Sequence, residues 1–151
     1  MKLGDFFSNY FMVRAQLVEA VKGLSQDQLD WTAPDHANSI GSLLLHIAET
    51  ECWWVTCVAL GRQDEVDEQK FSRGRPLEEI LERLDLQHRE FTEYLNTEDI
   101  DDWDKAFYEV KGHDFKLSKR ALVWHVVEHQ ARHRGQIFML MRMQGLEVPH
   151  V

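Results

Sequence analysis

Apolar residues recur along the chain at the three-and-four spacing of α-helices, in four long runs. The first, about residues 4–22, places Phe6, Tyr10, Val13, Leu17 and Val21 on one stripe. The second, about 39–60, has Ser39 as a candidate cap and Gly61 as its stop. The third begins at Pro76 and runs to about 96, with Leu77, Ile80, Leu81, Leu84, His88, Phe91 and Leu95 on its stripe. The fourth starts near Ser118 and ends at Gly145, with Pro149 beyond. Four amphipathic helices of this length predict an all-α fold, a four-helix bundle in a single domain over 1–151. Residues 24–38, 62–75 and 97–116 are long connections for a bundle, so the helix order is not a simple up-down one by default. Within them, Ser25 to Gln28 has capping-box spacing, and FYEVKGHDFKL alternates around Lys111-Gly112 as a small hairpin does.

Composition narrows the partners. The 151 residues carry 17 Lys and Arg against 26 Asp and Glu, a net charge of -9. That excludes nucleic acid and anionic membrane as main partners. No apolar run approaches the roughly 18 residues of a membrane span. MKLGDFFSNYF lacks a signal-peptide cleavage pattern, so a cytoplasmic protein is expected. Cys52 and Cys57 fall on different faces of an α-helix, about 140° apart at 100° per residue. Reduced thiols, not a disulfide, follow.

The chemistry concentrates in HVVEHQARHRGQ. His125, His129 and His133 follow one another at intervals of four and share a face with Leu122, Val126, Gln136, Leu140 and Met143. Three imidazoles on a core-facing stripe need partners for their ring nitrogens. Either adjacent pair can bind one metal ion. His125 to His133 spans about 12 Å, too far for both to reach the same ion. A third donor is at hand in SIGSLLLHIAETECWW, where His46 shares an inward face with Leu43, Glu49, Thr50 and Trp53. Three neutral nitrogens without a fourth protein ligand leave a position for water or substrate. The competing explanation is three hydrogen-bonded core histidines.

SIGSLLLHIAE with its aromatic-rich continuation, followed by HVVEHQARHRGQI, resembles the DinB/YfiT superfamily over nearly the whole chain. The resemblance implies a four-helix bundle, often dimeric, with a divalent metal on three histidines. By motif position these are His46, His129 and His133, which selects His129/His133 over His125/His129. It also implies thiol S-transferase chemistry with a low-molecular-weight thiol cosubstrate, as in members using bacillithiol, mycothiol or glutathione. Alternatives are a hydrolase using metal-bound hydroxide and a non-catalytic metal-binding stress-response protein. Histidine-only ligation suits zinc, nickel, copper and iron alike; zinc or nickel is the expected ion.

Around this centre, Glu49 lies one turn after His46 and is the candidate catalytic group, to orient a ligand or move a proton. Trp53, Gln136 and His125 are candidates to contact a small-molecule substrate or cosubstrate. His88 reads as a boundary histidine. The fourth helix carries a second apolar stripe, Trp124, Val127, Ala131 and Phe138, edged by Arg120, Arg134 and Arg142. That stripe is the expected homodimer face.

Overall fold

A computed structural model describes residues 1–150. The first apolar run forms two helices, α1 (Leu3–Phe6) and α2 (Ser8–Val21), where one was expected. Phe7 leaves helical geometry between them, at φ -101° and ψ 33°. Its ring stacks on Trp103 at 5.6 Å and meets Trp124 edge-on at 6.1 Å. Burying that ring offsets the broken helix. A short helix α3 (Gln26–Asp30) follows, held by the capping box between Ser25 and Gln28 that its spacing predicts.

Helix α4 (Ile40–Glu51) starts from a second such box, in which Ser42 plays the reciprocal part to Ser39. The run then widens. Cys52–Ala59 is π-helical, with Leu60 N–H donating to the Val55 carbonyl five residues back at 2.9 Å. β-Branched Val55, Thr56 and Val58 beside two tryptophans crowd an ordinary helical turn, and the wider one relieves them. Gly61, at φ 66°, ends it. Helix α5 (Leu77–Thr97) begins after Pro76 and buries Ile80, Leu84, Phe91 and Leu95. Strands β1 (Phe107–Glu109) and β2 (Lys116–Ser118) form the expected hairpin, Tyr108 opposite Leu117. Ser118 then caps α6 (Lys119–Met143), its hydroxyl accepting from Ala121 N–H at 3.2 Å.

Helix α4 packs against both α5 and α6, while α2 packs mainly on α6. Residues 22–39, including α3, therefore carry the chain across the bundle between α2 and α4. No helix among the described residues is long and apolar enough to cross a membrane.

The core comes in two apolar halves. One gathers Leu17, Val21, Leu44, Ile47, Leu84 and Ile137; the other gathers Leu3, Phe7, Val55, Phe91, Leu122 and Val126. On each of the four long helices a buried polar residue lies between the halves: Arg14 on α2, Glu51 on α4, Gln87 on α5 and Gln130 on α6. Tyr10, Arg14, Leu17 and Val21 are the buried stripe of α2, so Arg14 stands where Val13 was expected, and Phe7 where Phe6 was. Arg14 can be buried because its charge is matched there.

The orientation of α6 also departs from expectation. Leu122, Val126, His129 and Leu140 of the expected face are buried, together with Val123, Gln130, Ile137 and Met141; His125 and His133 are half-buried, and Gln136 and Met143 are exposed. Phe138 of the expected dimer face is only 2% exposed. Arg134 lies over its ring and donates to Gln16 Oε1 of α2 at 2.7 Å. Packing of α2 on α6 within the bundle accounts for that part of the stripe, leaving Trp124 exposed.

Candidate metal centre

His46 comes from the middle of α4, and His129 and His133 from successive turns of α6. Their side chains converge. His129 Nε2 lies 3.0 Å from His46 Nε2 and 3.0 Å from His133 Nε2. One ligand atom from each of the three residues can be chosen within 4.8 Å of the others. Thr50, one turn after His46, places its Oγ1 3.3 Å from the same His129 Nε2.

A ring nitrogen has one in-plane direction, either a lone pair or a hydrogen. His129 Nε2 has three polar neighbours and cannot satisfy them all as hydrogen bonds. The outer nitrogens fix the tautomers. His133 Nδ1 lies 2.5 Å from Gln136 Oε1, an acceptor, so Nδ1 carries the hydrogen and Nε2 keeps its lone pair. His46 Nδ1 lies 3.5 Å from Glu49 Oε2, which sets the same tautomer less tightly. Lone pairs then point toward a common centre. A tetrahedral ion about 2.0–2.1 Å from each nitrogen holds its ligand atoms about 3.3 Å apart, close to the spacing found. The donor set fits a metal ion.

Burial holds the His129 imidazole neutral, its pKa pushed down to about 3, with the neighbouring His133 and His46 adding to the effect. Burial likewise lowers His133 and His125. Neutral imidazoles are the form that binds metals.

The structure separates the other sequence candidates. His46 is less inward than its helical face implied, with 47% of its side chain exposed. That exposure opens the group onto a cavity of about 270 Å³, walled by His46, His133, Glu49, Asn38, Phe71 and Arg73. Glu49 faces this cavity as well as His46. His125 stays outside the three-histidine group, its ring 5.6 Å from that of His129 and 5.4 Å from that of Trp54. Gln136 holds His133 and also lines an apolar recess of about 200 Å³ with Leu43, Met139 and Met143. Trp53 lines a neighbouring cleft of about 340 Å³ together with Glu49, Cys52 and Cys57.

The cysteines thus correct the sequence reading. The π-helical stretch brings both to one cleft, and both are free. Burial pushes Cys52 up to about 12 and raises Cys57, so neither is an activated nucleophile. His88 belongs to the polar layer of the core. It stacks on Tyr10, and burial lowers its pKa to about 4.

Sequence reasoning assigned no role to Thr50, although it is i+4 from His46, nor to Asn38 and Arg73, which loops bring to the site. A larger depression, about 680 Å³, is lined by Phe6, Trp103, Arg120 and Trp124 and contains none of the site residues.

No curated protein matches the sequence. Among solved structures, a DinB-like protein from Bacillus cereus superposes with a TM-score of 0.71 at 22% identity, covering 97% of this chain and 95% of that chain. That likeness speaks to the fold. The DinB family profile matches residues 1–151. With a match over its whole length, a DinB-like helical fold and three histidines that could hold a metal ion, the chain belongs to the DinB family.

Proposed function

We propose that this chain is a metal-dependent thiol S-transferase acting on small electrophiles, with one divalent ion, zinc or nickel, on His46, His129 and His133. The observation that carries the reading is the convergence of three histidine nitrogens beside a cavity that His46 and His133 themselves wall. A bound ion there lowers the pKa of a thiol, so that the thiolate persists near neutral pH.

The chain's own residues do the rest. Gln136 and Glu49 hold the rings of His133 and His46 with Nδ1–H turned outward. The packing of His125 against it positions the His129 ring. Glu49, also facing the cavity, takes the proton of the incoming thiol at its carboxylate. Trp53 and the apolar recess by Leu43, Met139 and Met143 hold the electrophile and exclude water. The free cysteines suit the reducing cytoplasm. Homodimerisation belongs to the same reading, with exposed Trp124 as its remaining apolar anchor.

Glu49 in the cavity favours one second reading, hydrolysis by metal-bound hydroxide with Glu49 as base. Elemental analysis followed by turnover assays separates them. The transferase binds one ion per chain and consumes 1-chloro-2,4-dinitrobenzene only with a thiol present. Ester cleavage without thiol selects the hydrolase. Metal with neither activity selects a binding protein, and a chain that takes up no metal overturns all three.

A further inference from the structure

We infer that Arg73 makes the cavity beside the three histidines an oxyanion subsite, so that the ligand reaching the centre carries a carboxylate or phosphate group. The inference rests on the reading that the histidines hold an ion.

Arg73 sits in the loop between α4 and α5 and shares the cavity wall with His46 and His133. That loop is pinned. Arg75 donates to the Gln69 carbonyl at 2.7 Å, to Ser72 Oγ at 3.0 Å and to Glu79 Oε2 at 3.2 Å. Arg83 of α5 lies over the Phe71 ring at 5.4 Å. The residues on both sides of Arg73 are therefore held, while Arg73 itself has no hydrogen bond or ion pair among the described residues. Arg14, Arg62, Arg75, Arg89, Arg120 and Arg132 each pair with a carboxylate. Arg83, which lies over Phe71, Arg134, which donates to Gln16, and Arg142 do not, but these lie away from the cavity, whereas Arg73 lines it with His46 and His133. Glu49, the carboxylate that lines the same cavity, lies 3.5 Å from His46 Nδ1.

The guanidinium fork matches the two oxygens of a carboxylate or phosphate. Asn38 adds an amide on the same cavity wall. A divalent ion and Arg73 together make this cavity positive on an otherwise acidic surface, which draws anions toward it. The ligand class that fits is a small molecule with a metal-binding donor and an oxyanion.

The test uses the full-length protein loaded with cobalt, whose absorption reports a thiolate at the metal. 3-Mercaptopropionate and 2-mercaptoethanol are titrated against the parent and against Arg73→Ala, Arg73→Lys and Arg73→Glu. The parent is expected to prefer the acidic thiol by roughly tenfold, as one charge-assisted hydrogen bond allows. Arg73→Ala loses the preference, Arg73→Glu reverses it and Arg73→Lys keeps part. Cobalt content and thermal midpoint stay unchanged, because Arg73 is exposed and has no hydrogen bond or ion pair among the described residues. Competition by acetate assigns a carboxylate and competition by inorganic phosphate a phosphoryl group; competition by neither counts against the subsite. If cobalt binds but the parent and Arg73→Ala rank both thiols alike, the inference is overturned while the metal reading stands. If no cobalt binds, the three-histidine reading fails and takes the inference with it.

Discussion

Arg14 and Glu51 form an ion pair in the middle of the bundle, their side chains 4% and 2% exposed. Tyr10 donates its hydroxyl to Glu51, while Arg14 donates to Gln130 Oε1 at 2.5 Å and to the Leu84 carbonyl at 2.8 Å. Burial, reinforced by the Glu51 charge, raises the Tyr10 pKa and keeps that hydroxyl protonated. Glu51 follows Thr50, and Gln130 follows His129. The pair thus ties α2 to α4 and α6 at the level where histidines of α4 and α6 meet.

Removing one partner strands the other. Arg14→Ala and Glu51→Ala are each expected to lose about 3–5 kcal/mol in urea denaturation, whereas the double variant Arg14→Met/Glu51→Leu recovers most of it. A double variant no more stable than the singles contradicts this account.

At the metal centre, His46→Ala, His129→Ala and His133→Ala should each reduce metal content, measured by elemental analysis after dialysis. His125→Ala should weaken binding less than His129→Ala, because its ring packs beside His129 but is not part of the converging group. Full stoichiometry and affinity in all three ligand variants removes the assignment. The opposite order for His125 and His129 moves the site one turn toward the start of α6.

Chelation should lower the thermal midpoint without unfolding the protein. Both apolar halves of the core are built from hydrophobic residues other than the three histidines, unlike the metal-held core of a zinc finger. Linkage makes the loss about 3–4 kcal/mol when free metal exceeds its dissociation constant by several hundredfold. Circular dichroism of the chelated protein should keep its helical signal; a coil spectrum would falsify this.

The helices, the Ser25–Gln28 capping box, the hairpin and the i, i+4 histidine spacing on α6 were legible because each rests on a short stretch; the choice of His129 and His133, with His46 as their partner, followed from the family resemblance. What was not legible depends on partners distant in sequence. Arg14 reads as surface until Glu51, 37 residues away, is brought beside it. Phe138 reads as an outward apolar residue until α2 is known to pack on α6. Cys52 and Cys57 separate on an α-helix and meet only because the backbone widens between them. Arg73 lies in a loop with no periodicity to read, and only the fold sets it near His46. The histidine pattern survived these departures since an i, i+4 pair on α6 needs no tertiary information.

Acid should destabilise the chelated protein through His88. Its folded pKa is about 4 against an ordinary value of 6.5, with burial the main cause and Arg14 the next. A histidine depressed in the folded state stabilises fully above pH 6.5. Below that the unfolded chain takes up a proton that the native chain refuses, and stability falls until about pH 4. Allowing for partial exposure, the loss is about 1–2 kcal/mol. His129 acts in the same direction. His88→Gln should therefore flatten part of the decline between pH 6.5 and 4 in urea titrations. A decline as steep as the parent's would rule His88 out as a contributor.

Phe138 and Trp124 should behave oppositely, although both lie on the apolar stripe of α6. Phe138 is 2% exposed and packs among Leu17, Leu44 and Ile137, so Phe138→Glu buries a charge and should unfold the chain or cost several kcal/mol. Trp124 is 58% exposed, so Trp124→Glu should leave the helical signal nearly intact. If α6 carries the homodimer, Trp124→Glu sediments as a folded monomer while the parent sediments as a dimer. A parent that is monomeric at micromolar concentration ends the dimer proposal. A dimeric Trp124→Glu protein moves the interface off this face.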